Sequence, residues 1–147
     1  MEKCGRKSAP CDMRDHGKQP FVANMCRLTE TNPHFRAAIW TGEHLQVTLM
    51  CIPVGGEIGC ECHPHTDQFL RIESGCAQVL MGKNRNELRE NCKIGDDYAV
   101  FIPAGTWHNI INSGCTPLKL YSVYAPPQHP CGTMHHTKED ADKAEQH

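Results

Sequence analysis

The chain has 147 residues, 39% of them hydrophobic and 22% charged, with a formal charge of −2 from 15 basic and 17 acidic side chains. This length fits one domain with tails rather than two full-sized domains. The near-balanced charge excludes the basic excess that nucleic acid or an anionic membrane surface selects. No apolar run approaches the ~20 residues of a membrane span. The first 20 residues are polar rather than signal-like, so a cytoplasmic protein is expected.

Residues 1–20 (MEKCGRKSAPCDMRDHGKQP) lack periodicity and read as a polar arm. A single domain is expected over 21–126. From Phe35 onward short apolar or alternating runs follow one another: FRAAIW, LQVTLMCIPV, FLRIES, AQVLMG, YAVFIP, HNIIN and LKLYSVYA. Turn clusters separate them, among them TGEH, PVGGE, HPHTD, KIGDD and PAGT. Closely spaced short strands with Gly, Pro and Asn turns predict an all-β sandwich or barrel rather than βαβ units. Residues 127–147 form a C-terminal tail, in which TKEDADKAEQ reads as a short helix without an apolar face, hence a solvated end.

Ten cysteines and ten histidines are the unusual entries in the composition. No two cysteines form a C-x-x-C pair, which counts against a zinc knuckle or a redox dithiol. Reduced thiols behaving as small hydrophobes in or near the core are expected. His16, His44, His129, His135, His136 and His147 fall in turns or tails and are expected at the surface. His34 and Arg36 open a strand and are placed either at a pocket rim or toward solvent.

Two segments carry chemistry. In GGEIGCECHPHTDQFLRIESG, residues 55–75, a regular strand would project Glu57, Gly59, Glu61, His63 and His65 from one face and Cys60 and Cys62 from the other. The turn at Thr66-Asp67 then returns Gln68 beside the histidines, above Leu70 and Ile72. In PAGTWHNIIN, His108 follows a Pro-Ala-Gly turn. His63, His65 and His108 with the Gln68 amide oxygen would form a half-shell around a divalent transition metal (Zn, Fe, Mn, Ni or Cu), leaving positions open for water and substrate. Glu61 would lie inside, near the ion, as a candidate acid/base.

His63-Pro64-His65, then Gln68 and Gly75, resemble the first cupin motif, G-x5-H-x-H-x3/4-E-x6-G, although Gly56 precedes His63 by one residue too many and only two residues separate His65 from Gln68. Pro103-Ala104-Gly105-Thr106-Trp107-His108-Asn109-Ile110-Ile111-Asn112 resembles the second, P-x-G-x2-H-x3-N. The resemblance spans roughly residues 35–125 and implies a double-stranded β-helix, the jelly-roll barrel of the cupins, with metal ligands at His63, His65, Gln68 and His108. Gln68 stands where the family has glutamate, and Asp97 stands in the glycine place that precedes the second motif. Three neutral imidazoles and an amide would leave the full charge of a divalent ion uncancelled, favouring a small anionic or carbohydrate-like substrate.

Three functions are open on these residues, with a metal-dependent isomerase expected ahead of a dioxygenase or a binding module. FIPAGTWHNIINSGCTPLKLYSVYAP resembles the cupin half of bifunctional mannose-6-phosphate isomerases, which implies a metal-dependent sugar or sugar-phosphate isomerase. An iron with open positions would instead support a dioxygenase, and a site without turnover would be a small-anion binding module. A homodimer is expected from the family and from the exposed sheet edges.

Overall fold

The computed structural model describes residues 12–145. In chain order the elements are α1 (Met25–Thr31), β1 (Arg36–Thr41), β2 (Gln46–Ile52), β3 (Asp67–Ser74), β4 (Ala77–Gly82), β5 (Glu90–Ile94), β6 (Ala99–Ile102), β7 (Trp107–Asn112), β8 (Leu118–Ala125), β9 (Met134–His135) and α2 (Lys138–Glu145). A six-stranded sheet, ordered β6-β3-β8-β2-β1-β9, faces a three-stranded sheet ordered β5-β4-β7. All pairings are antiparallel. This is the all-β barrel that the alternating runs predict, in the jelly-roll form that the family resemblance implies.

The inward side chains change character along the barrel. Register places Ile52 opposite Leu118, Met50 opposite Leu120, Thr48 opposite Ser122 and Gln46 opposite Tyr124. Across the next ladder Ile72 faces Leu120, Leu70 faces Ser122 and Gln68 faces Tyr124. One end is therefore closed by apolar side chains (Ile52, Leu118, Leu120, Ile72), joined by Val79 and Ile110 of the smaller sheet, all buried. Each contributes about 1.5–3 kcal/mol by leaving water. The other end is buried but polar: Gln46, Thr48, Gln68, Ser122 and Tyr124 have almost no exposure. The apolar end holds the fold; the polar end is where a ligand would sit.

Several features differ from the sequence reading. The helix α1 was not anticipated, because seven residues with only the adjacent Leu28 and Thr29 buried give no readable periodicity. Asn24 caps it by accepting from the Arg27 amide, and Leu28 packs on Ile39 and Leu49, on the outer face of the large sheet. The strand β5 also went unread, since its residues are almost all exposed and show no alternation. The expected arm lies partly outside the described residues. Its described part is fastened: Asp15 accepts from Thr41 Oγ1 and from the Gly17 and Gly132 amides, and Trp40 Nε1 donates to the Gln19 carbonyl. The C-terminal helix is present but is not merely solvated, for Ala141 is buried in the main core beside Phe35 and Ile58. Among the described residues no cysteine is fully buried. Cys26, Cys76, Cys92, Cys115 and Cys131 are exposed, and Cys51, Cys60 and Cys62 are half-buried, all as free thiols.

Candidate metal centre

The segment between β2 and β3 does not form the regular strand that the H-x-H spacing suggests. It meets β7 through isolated bridges only, Glu57 with Ile111 and Glu61 with His108. Four steps on one side match three on the other, so one residue is extra. Gly59, at φ +101°, absorbs it as a bulge, and its amide donates to Asn109 Oδ1 at 2.9 Å. The bulge shifts the parity. Glu57 faces solvent, whereas Glu61 and His63 turn inward.

Immediately after His63 the chain turns at Pro64-His65, and His65 is exposed. The half-shell of three imidazoles is thus not assembled. The structure instead brings together Glu61, His63 and His108, each offering one donor atom within 4.8 Å of the others. Glu61 Oε1 lies 3.3 Å from His108 Nε2 and 3.4 Å from His63 Nε2. Both imidazoles are almost fully buried, at 7% and 1% exposure for His63 and His108. The two motifs are also tied to each other. The Gly105 amide donates to the His63 carbonyl, and the Ala104 amide donates to Asp67 Oδ1, both at 2.9 Å.

His108 Nδ1 lies 3.0 Å from the Thr106 carbonyl oxygen, which can only accept, so the ring proton sits on Nδ1. Its Nε2 then faces the Glu61 carboxylate either as part of an imidazolium or as a lone pair with a cation between them. Burial alone would raise the Glu61 pKa, but the imidazoles of His108 and then His63 beside it hold its carboxyl well below the usual carboxylate range. The second form fits the geometry equally. Donors ~2.0–2.2 Å from one ion stand roughly 3.0–3.5 Å apart, the separation found here. Two further buried atoms lack hydrogen-bond partners, His63 Nε2 and Gln68 Oε1. Gln68 is held through its other end, Nε2 donating to Ser122 Oγ at 3.2 Å and Tyr124 Oη at 3.3 Å, so its oxygen is left as an acceptor. The residues present fit a divalent ion, with a carboxylate where the sequence reading had a third imidazole.

Around this group lie Tyr124 and His129, which sequence reasoning missed, and Arg36, which it left between a pocket rim and solvent. Tyr124 meets His63 and His129 edge-on, with ring centroids 5.7 and 5.2 Å apart. His129, placed with the surface histidines by sequence, is half-buried because Gln46 Oε1 accepts from the Gln128 and His129 amides while its Nε2 donates to the His129 carbonyl. Burial, reinforced by the charge of Arg36, pushes His129 down to about 3. Burial likewise pushes the Tyr124 hydroxyl up to about 12. Arg36 lies inside the barrel, only 2% exposed. The parity of β1 was the available signal for it. Ala37 and Ile39 face α1, so Arg36 and Ala38 face inward.

Residues 48–124 match the cupin domain family, which spans more than half of the chain. The chain belongs to the cupin family. It is 56% identical over 133 residues to YrkC of Bacillus subtilis, covering 90% of this chain and 72% of that protein. The crystal structure of BH2720 from Bacillus halodurans superimposes on this cupin with a TM-score of 0.88 at 58% identity, over 88% of this chain and 98% of that one. A more distant match is the mannose-1-phosphate guanylyltransferase RfbM of Salmonella typhimurium, 29% identical over 83 residues, which are 56% of this chain but 16% of that protein. No helix among the described residues is long and apolar enough to cross a membrane.

Proposed function

We propose that this cupin is a metal-dependent enzyme acting on a small anionic substrate, with dioxygenation as its reaction class. The observation that carries this reading is the donor set. Two imidazoles and one carboxylate converge from one side of the polar end, the pattern that suits iron(II) with open positions. Bound there, the ion would supply adjacent sites for substrate and O2. Glu61 would lower the charge of a divalent ion from +2 to +1, and His108 is oriented for it by the Thr106 carbonyl. Gln68 stands by as a neutral donor that the Ser122 and Tyr124 hydroxyls hold in place. Burial of the surrounding side chains excludes bulk water.

Isomerisation of a sugar or sugar phosphate is the second reading; its support is the resemblance of residues 101–126 to the cupin half of mannose-6-phosphate isomerases, while the relative RfbM is by name a guanylyltransferase of a sugar phosphate. It needs a free acid/base, and Glu61 is drawn into the donor group, which leaves His129 as the half-buried imidazole that could move a proton. The two readings separate on one measurement. Turnover that consumes O2 supports dioxygenation; turnover of an aldose or ketose under argon overturns it. Stoichiometric iron in the purified protein, lost in both His63→Ala and His108→Ala, is the first expected result. The free thiols support the expected cytoplasmic setting. The expected homodimer belongs to the same proposal, with support from the exposed Phe101 on edge strand β6.

A further inference from the structure

Arg36 is among the largest side chains fully buried in the protein. A buried guanidinium is ordinarily paired, because an uncompensated charge away from water is strongly destabilising. Here Nε and Nη1 have no hydrogen-bond partner among the described residues. The carboxylate nearest to Nη1 is that of Glu145 in α2, 4.0 Å away and with its side chain 56% exposed, too far to accept a hydrogen bond. The remaining support is the Phe35 ring, whose centroid is 5.5 Å from Cζ.

Thr48 Oγ1 and His129 Nε2 also lack partners. Thr48 pairs with Ala38 on β1 and with Ser122 on β8, so it projects from the same inward face as Arg36 and lies one step below Gln46 and Tyr124. On β1 the next inward residue after Arg36 is the small Ala38, opposite Thr48. Ser122, opposite Thr48, accepts from Gln68 Nε2, and Tyr124 on the next rung meets His63 edge-on, so this face leads from Thr48 to the donor group. Unpaired polar atoms of Arg36 and Thr48 thus face the interior from β1 and β2, at and just below the polar end.

We propose that Arg36 and Thr48 bind the carboxylate of a small organic acid whose other end reaches the Glu61–His63–His108 group. This rests on reading that group as a metal centre. A carboxylate is favoured over a phosphate by number and charge. One guanidinium and one hydroxyl match two oxygens sharing a single negative charge, and the neutral His129 adds no second cation. The inference also reverses an ordinary expectation for a core residue. Replacing Arg36 by an apolar side chain of similar length should strengthen the empty protein, because it removes an uncompensated charge.

The experiment measures thermal melting, and calorimetric binding of acetate, pyruvate and inorganic phosphate, on the full chain before and after removal of metal by a chelator. Saturable binding of pyruvate to both forms is expected, with acetate weaker and phosphate weakest. Arg36→Met should weaken pyruvate at least tenfold, keep the wild-type metal content and melt higher than wild type without ligand. Arg36→Lys, which keeps the charge but loses the fork of donors, should fall between the two. Unchanged pyruvate affinity in both variants, or phosphate binding tighter than pyruvate, overturns the proposal. So does a drop in melting temperature shared by Arg36→Met and Glu145→Gln, which would make the arginine half of a structural ion pair. Absence of metal from the wild type, with Arg36-dependent pyruvate binding retained, would overturn the metal reading and leave the carboxylate site standing.

Discussion

Glu61 Oε1 sits almost equally far from His63 Nε2 and His108 Nε2, at 3.4 and 3.3 Å, although the two imidazoles come from different segments. His65, two residues from His63, has no place in the group. The two residues therefore make opposite predictions. Glu61→Gln should weaken metal binding by roughly 10–100-fold or more, the range associated with losing even a supporting partner. His65→Ala should retain stoichiometric metal. Competition with a chromogenic chelator measures both, and loss of metal in His65→Ala would restore the three-imidazole shell.

Gln68→Glu bears on the same charge balance. With Glu61 already in the group, a second carboxylate would cancel the remaining charge of a divalent ion. Metal retention should improve and affinity for anions should fall, read by chelator competition and by pyruvate calorimetry on one preparation. Tighter pyruvate binding in this variant would refute the charge argument.

Acid stability should report His129. Its folded value of about 3 lies below the 6.5 of an unperturbed imidazole, so between those values the unfolded chain holds the extra proton. Stability is then fully present above pH 6.5 and declines as pH falls toward 3, with a slope of up to about 1.4 kcal/mol per pH unit from this one group. His129→Phe should flatten that decline in urea titrations of metal-free protein taken between pH 7 and pH 5. An unchanged slope would place the imidazole in solvent.

Asp97 has φ 70°, the one non-glycine residue at positive φ among those described. It occupies the place where the family pattern has glycine. Asp97→Gly relieves the left-handed backbone, worth about 1 kcal/mol, and loses an exposed ion pair to Arg71, worth about 0.2–1 kcal/mol. A small net stabilisation of up to about 0.8 kcal/mol is expected from these two magnitudes, measurable as a rise in melting temperature.

Asn112 closes the second motif, and its role is structural. Its Nδ2 donates to the Ile52 and Thr116 carbonyls, and its Oδ1 accepts from the Gly114 amide. Asn112→Ala would leave buried backbone groups unsatisfied and should cost about 2–4 kcal/mol in denaturant unfolding, with metal content unchanged. Loss of metal at full stability would contradict that assignment.

The strands were legible because half-buried β-structure writes a period of two into the sequence, and LKLYSVYA shows it plainly: Leu118, Leu120, Ser122 and Tyr124 all point inward. The family was legible in PAGTWHNIIN, where turn, imidazole and closing asparagine fall at fixed offsets within one hairpin. Parity counting carried the strand through Gly59 and on to His65, but the chain bulges at the first and turns at the second. The missed signal was the spacing Gly55-x5-Glu61-x-His63-x4-Gln68-x6-Gly75, which fits the first motif with Glu61 in the place of its first histidine. What could not be read was non-local. His129 owes its burial to a side chain 83 positions away, Gln46. The inward direction of Arg36 follows from its alternation with Ala37 and Ile39, yet only the packing of α1 says which face is which.

On β2 and β8 the apolar pair Met50–Leu120 gives way to Thr48–Ser122 at one rung, and β3 follows one rung later, with Leu70 opposite Ser122 and Gln68 opposite Tyr124. A division within one rung of level means that the foundation and the workshop of this barrel occupy different storeys. Substitutions in the upper one can redirect what is bound without loosening what keeps the walls upright, so new specificities are open to this scaffold through exchanges at positions such as Thr48 and Gln68 alone.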